Sequence, residues 1–388
     1  MYHTKCVILY LYQMIQDFNP FLTTGYKGDN YFCDRQAETK QLLTNIKNGN
    51  NTTLFALRRL GKTGLIQHAF HLLATNKKKA CIYLDIFATR DLKDFTNQLA
   101  TAIYQKFPEK KGIGAKLWNI ITMLRPTISY DGLSGSPEIS LELGPQKQYE
   151  KTIAQLLQFL DAQTIKTIIA IDEFQQILTY PEKNVEALLR TYIQPLQNVQ
   201  FIFCGSNQSM MNEIFNNAKR PFYASCNNLN LDFIPTDLYA AFITQKFAER
   251  KRKISAEAIG FVLEFTQRHT YYTQMLCNQL FATNHKNIQL AQVHETCKDL
   301  LLLNESIFYQ YRNLLTAAQW HLLSAIAKEG MVTKPHAQAF IKKYQLGTSS
   351  LVTRGIDALL QKEMIYYNAA VQEPYYVVYD KFLMRWLQ

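Results

Sequence analysis

From about residue 53 onward, short apolar runs alternate with segments whose apolar residues recur at three- and four-residue spacing. This is the pattern of an α/β domain built on a parallel sheet. The apolar runs predict strands at 52–56 (TTLFA), 80–86 (ACIYLDI), 167–173 (TIIAIDE), 199–205 (VQFIFCG) and 228–234 (NLNLDFI). The periodic segments between them predict helices over 62–75, 92–106, 149–163, 184–195 and 207–217. An insertion at about 107–147 breaks the rhythm. Within it, PTISYDGLSGSPEISLEL holds two alternating stretches around a Gly/Ser/Pro turn and predicts a β-hairpin. Beyond 235 the strands stop, and 236–250, 255–267, 271–283 and 289–313 all carry helical periodicity. From about 316 the order is three helices followed by IYYNAAVQEPYYVVYD, the order of a winged helix-turn-helix. The expected organisation is a leader at 1–25, an α/β core at 26–234, a helical subdomain at 235–315 and a winged helix at 316–388.

Composition narrows the class. A chain of 388 residues is too long for one ordinary core, and 47% hydrophobic with 19% charged residues describes an ordered globular protein. The excess of 42 Lys+Arg over 31 Asp+Glu favours phosphate-bearing partners. Much of it lies in short runs at 77–79, 110–111, 250–253 and 342–343, which read equally as solvated helix ends and loops. The seven cysteines follow no CxxC spacing and have no histidine at metal-ligand distance, which argues against a disulfide framework or a zinc site and fits a reducing cytosol. The N-terminal KCVILYLYQMI faintly resembles a signal peptide, but no small-residue cleavage site follows and the run is too short to span a membrane. Met14 offers an alternative start. The expectation is a cytoplasmic chain with no membrane partner.

The chemistry concentrates where the 52–56 strand meets the following helix. LFALRRLGKTGLI aligns with the phosphate-binding loop GxxxxGK[ST], except that Ala56 stands at the first glycine. In such a loop, successive backbone N–H groups wrap a phosphate and deliver it to a helix N-terminus. Arg58, Arg59, Leu60, Gly61, Lys62, Thr63 and Gly64 form the candidate cradle. Lys62 would reach the phosphate oxygens and the Thr63 hydroxyl would ligate Mg²⁺. One of the two arginines is expected on phosphate and the other on an acid. The partner motif is TIIAIDE, in which a buried strand carries Asp172 and Glu173 to its C-terminal edge. Asp172 would hold Mg²⁺ and Glu173 would polarise the attacking water. ATP and Mg²⁺ are the expected cofactors.

On these motifs, together with FIFCGSNQSMM, KRPFYAS and YVVYDKFLMRWL, the sequence resembles the ATPase_2-like group of prokaryotic P-loop proteins, AAA-type ATP-binding proteins common in Bacteroidetes and related to AAA+ and STAND ATPases. The resemblance implies an AAA-like five-stranded parallel sheet with a helical lid and a C-terminal winged helix. It implies that Ala56 is a feature of the lineage. Asn207 matches the position that reads the γ-phosphate, with Ser206 as rival, and helix N-capping is the alternative role for Asn207. Arg220 is either an arginine finger toward a neighbouring protomer or a loop-pinning residue. The family's lid motif, roughly T-x-G-H-P-Y-Y-x-Q, appears as TQRHTYYTQ, which keeps His269 as a nucleotide-site candidate while Arg268 and Thr270 replace the Gly and Pro. Arg268 is either a lid sensor or a helix cap. The 25–38 leader, with Arg35 and Glu38, is expected beside the base.

Three functional readings follow. The first is an ATP-hydrolysing molecular switch that couples nucleotide state to the winged helix. The second is a DNA-binding regulator with ATP as a structural ligand, in which Ser349, Ser350, Thr353 and Arg354 face DNA and Lys334, Lys342 and Lys343 grip phosphates. The third is a protein-interaction scaffold with a protein client or a homo-oligomeric partner, in defence or polysaccharide-related signalling.

Overall fold

The computed structural model describes residues 19–108, 126–130, 136–141, 146–368 and 372–388. The start of the leader, including Met14, lies outside them, as does the tip of the insertion. The chain divides into two compact units: Gly25–Asp232, and Phe233–Gln388 together with the segment ending at Thr24.

The first unit is a five-stranded sheet flanked by helices. In chain order its elements are α1 (Gln36–Asn48), β1 (Thr52–Ala56), α2 (Lys62–Leu73), β2 (Lys79–Asp85), α3 (Leu92–Lys106), β3 (Pro126–Tyr130), β4 (Pro137–Leu141), α4 (Gln146–Asp161), β5 (Lys166–Asp172), α5 (Val185–Ile193), β6 (Val199–Gly205), α6 (Gln208–Asn216) and β7 (Asn227–Leu231). The sheet order is β2-β5-β6-β1-β7, and every pairing is parallel. The central strands β1 and β6 are buried throughout, which is why they read as continuous apolar runs rather than alternating ones. Phe201 and Phe203 point from β6 into a core with Phe174, Phe215 and Phe222, packed against Leu99 of α3 and Leu156 of α4. The expected hairpin is present as antiparallel β3 and β4, with Ile128 opposite Ile139. The last strand ends at Leu231, three residues before the apolar run does, because Asp232–Ile234 leads into the second unit.

The second unit holds α7 (Thr236–Ala248), β8 (Lys253–Ile254), α8 (Ala256–Phe265), α9 (Thr270–Ala282), β9 (Asn287–Ile288), α10 (Leu290–Leu314), α11 (Ala317–Glu329), α12 (Gln338–Lys343), α13 (Ser349–Gln361), β10 (Ile365–Asn368), β11 (Tyr375–Val378) and α14 (Lys381–Leu387). The helical subdomain and the winged helix, expected as separate domains, form one body here. The 25-residue α10 runs from one into the other, and its Phe308 packs on Trp386 of α14. Arg385 completes the join, donating to Phe265 O at 2.9 Å, Glu264 O at 2.7 Å and Glu264 Oε1 at 2.6 Å.

The described end of the leader also belongs to this unit. Phe21 is 1% exposed and lies among Phe242, Phe247 and Phe281. Asn19 donates to Asn278 O at 2.9 Å, and Asn278 returns a bond to Phe21 O at 2.7 Å. All six described cysteines are free thiols. Among the described residues, no helix is long and apolar enough to cross a membrane.

Candidate functional site

The loop between β1 and α2 is shaped by backbone conformation. Ala56 ends β1 in an ordinary strand pairing with Leu231, and its φ is not positive. A Cβ therefore costs nothing at the position of the missing glycine. The left-handed positions are Arg59 (φ 60°) and Gly61 (φ 106°), and Leu60 N closes a turn onto Leu57 O at 3.3 Å. Leu60 is buried beneath the loop, whereas the side chains of Arg58 and Arg59 are exposed. Gly64, on the first turn of α2, faces the Phe32 ring, and a Cβ there would sit 3.7 Å from it. Arg35 pins the loop. Its buried guanidinium donates to Leu60 O at 3.3 Å and to Glu38 Oε1 at 3.0 Å.

Parallel strands deliver the acids to the same edge. Asp172 ends β5 directly opposite Asp85 of β2. Thr63 Oγ1 donates to Asp172 Oδ2 at 3.1 Å, and Tyr83 Oη donates to the same oxygen at 2.6 Å. Burial, reinforced by the Asp172 charge, pushes the Tyr83 phenol far up, so it stays a donor. Burial also raises the Asp85 carboxyl, with Asp172 and Glu173 adding to the effect against the Phe87 N–H. Negative charge is crowded at this edge, and the cations in reach are few. Lys62 is largely buried with its Nζ 4.0 Å from Glu173 Oε1.

Glu173 is held with care. Its backbone is left-handed (φ 55°, ψ 41°) at the start of a 3₁₀ turn, which swings its side chain away from the β5 alternation. Three donors then converge on Glu173 Oε2: Gln175 Nε2 at 2.5 Å, Ser206 Oγ at 2.8 Å and Ser206 N at 3.2 Å. Gly205 makes room for this clamp, since a Cβ there would collide with Gln175 Oε1 and approach Met211 Sδ to 2.8 Å.

Of the two rivals after β6, Ser206 reaches Glu173. Asn207 caps α6, its Oδ1 accepting from Met210 N at 3.0 Å. Arg220 is engaged within the chain, 2.7 Å from Glu186 Oε2 and 3.9 Å from Glu213 Oε1. His269 lies in the other unit at the N-terminus of α9, 1% exposed and edge-on to Tyr272 and Phe233. Arg268 is left-handed and donates to Ile234 O at 3.4 Å.

Tyr83, Gln175 and the loop-pinning contact of Arg35 escaped the sequence reading. Only Tyr83 left a signal, a polar ring two residues before an acid at a strand end. A Mg²⁺ ion fits this edge: a hydroxyl and a carboxylate already in contact, among crowded acids, suit a hard cation that takes one or two protein oxygens and keeps its remaining positions for phosphate and water.

Residues 32–266 match the family model described as an ATPase domain predominantly from Archaea, and residues 306–388 match one described as a probable winged helix domain. Among solved structures, the chain is similar to a Walker-type ATPase of Pyrococcus abyssi, with a TM-score of 0.65 at 15% identity, covering 95% of this chain and 99% of that one. It is also similar to the ORC2 protein of Aeropyrum pernix in its ADPNP–ADP complexes, with a TM-score of 0.52 at 9% identity and 91% coverage of each. No curated protein matches the sequence.

Proposed function

The chain belongs to the family of ATPase domains found predominantly in Archaea, and from that premise we propose that it is an ATP-hydrolysing switch whose nucleotide state acts through the winged helix. The observation that carries this reading is the meeting of Lys62, Thr63, Asp172 and the clamped Glu173 at one edge of the sheet. Backbone N–H groups from Arg59 to Thr63 cradle the phosphates of ATP, and Lys62 Nζ donates to their oxygens. Thr63 and Asp172 hold Mg²⁺, which when bound offsets the phosphate charge.

With Oε2 of Glu173 occupied by three donors, Oε1 is the oxygen that takes a proton from water. The water oxygen bonds to the γ-phosphorus as the bond to the ADP oxygen breaks. Ser206 fills the role expected of a residue beside the γ-phosphate. Arg220 acts as a loop pin, since a finger role would require its Glu186 pair to open. Because Arg385 and α10 bind the lid helices to the winged helix, the two respond to nucleotide as one body.

Phosphate release and thermal shift test this reading. Wild type should gain stability from millimolar Mg·ATP, and Lys62→Ala should lose that gain. Glu173→Gln should keep the gain while turnover falls by about 10²–10⁴. A wild-type chain whose melting ignores ATP would end the proposal.

One observation favours DNA as the partner of the winged helix: Ser349, Ser350, Thr353 and Arg354 of α13 are all exposed. Lys343 is paired with Glu329 at 2.7 Å, so Arg354 and Lys342 carry the phosphate and base contacts. A gel shift that weakens steeply with salt supports this partner.

A further inference from the structure

At the opposite end of the same sheet, where the parallel strands begin, there is a cavity of about 400 Å³. Six residues of rise along β6 separate its floor from Ser206, about 20 Å. Its volume is in the range that small-ligand pockets occupy. The walls come from the loop after α1, the end of α5, the first residues of β6 and the 224–227 segment. They are rich in carboxamides, among them Asn50, Gln194, Gln197, Gln200 and Asn227. Arg190 brings the one charge, and no acidic side chain lines the cavity among the described residues. Burial pushes the Cys226 thiol up, so that wall stays neutral as well.

Gln200 makes this more than a surface hollow. It lies on a central strand, 3% exposed, and neither its Oε1 nor its Nε2 has a hydrogen-bond partner. Two orphaned polar atoms on a buried strand are costly, and an apolar residue would fit the site at less expense. Gly49, left-handed at the α1 terminus (φ 81°), lies beside it, and a Cβ there would sit 3.9 Å from Gln200 Nε2. A donor and an acceptor side by side match a ligand that presents the complementary pair, as an amide or a nucleobase edge does.

We propose that this cavity is a second binding site, for a small anion carrying an amide-like donor–acceptor edge, with Gln200 pairing to that edge and Arg190 to the negative group. A nucleoside monophosphate and an N-acylated amino acid with a carboxamide side chain both have this chemistry.

The test is calorimetric titration of full-length Lys62→Ala with AMP, UMP and N-acetylglutamine. Saturable binding by at least one probe, with Kd below about 1 mM, is expected. Response to the nucleotides or to N-acetylglutamine identifies the source of the edge. Gln200→Leu should weaken that binding about tenfold or more while melting a few degrees higher without ligand, because the orphaned atoms are gone. Arg190→Gln, a change at the rim, should weaken AMP about tenfold and leave adenosine unaffected. Absence of saturable binding by all three probes would overturn the proposal. So would binding that is undiminished in both variants.

Discussion

Tyr83 donates to Asp172 Oδ2 across 2.6 Å, on the oxygen that Thr63 also reaches. The acid at the end of β5 is therefore oriented by a neighbouring strand before any ligand arrives. Hydrogen bonds to a charged group contribute about 1.5–3 kcal/mol. Tyr83→Phe should lose stability in that range without nucleotide, and Mg·ATP should recover part of the loss by giving the carboxylate a cation. Denaturant melts with and without Mg·ATP read both quantities. Co-melting of variant and wild type would rule out the orienting role.

Arg35 controls loop position rather than chemistry. Its guanidinium holds Leu60 O, one residue before Gly61. Arg35→Met keeps the stem and loses the pin, so KM for ATP should rise about tenfold with kcat nearly unchanged. A fall in kcat alone would place Arg35 in the chemical step.

Gly205 is required by its neighbour. Gly205→Ala should cost about 1–3 kcal/mol by overpacking against Gln175 and Met211. Turnover should also fall, because Gln175 must move from Glu173. Adding Gln175→Ala should restore part of the stability, since Met211 still crowds the new Cβ, but not the turnover. Failure of the double variant to regain stability would move the strain elsewhere.

Lys381 gives the C-terminal unit a pH dependence. It is fully buried, with Nζ 2.9 Å from Val378 O and 5.0 Å from the Tyr366 ring centre. Burial, with Arg385 adding and Asp380 opposing, lowers its pKa from 10.5 to about 7. Below about 7 the amine is charged in both folded and unfolded chains, and the cost of burying it is present in full. Between about 7 and 10.5 the unfolded chain holds a proton that the folded chain has shed, so stability rises with pH. Lys381→Met should melt higher at pH 7 and converge on wild type toward pH 10. Parallel melting curves across that window would show that the amine titrates normally.

The parallel core was legible because a strand buried on both faces has to be apolar throughout, as TTLFA and VQFIFCG are. The loop and the two acids were legible because GKT after one apolar run and DE at the end of another are local patterns of residue type. The hairpin and the winged-helix order were legible for the same local reasons, turn residues and helical period.

Contacts between residues distant in sequence were decided only by the fold. The clamp on Glu173 joins residues 33 positions apart, and Tyr83 and Asp172 are 89 apart. No local periodicity encodes such pairs, since each side chain alone is an ordinary strand or turn residue. Ala56 is harmless because β1 continues through it, and only the backbone φ reveals that. Phe21 belongs with residues more than 200 positions later because an aromatic cluster needed filling there. The sequence by itself determined the elements and the residue types gathered where β1 and β5 end, because those depend on local propensity and composition. Tertiary structure decided which oxygen of Glu173 is held by neighbouring donors and which carboxamide is left without a partner at Gln200, because those depend on what packing brings within hydrogen-bond reach.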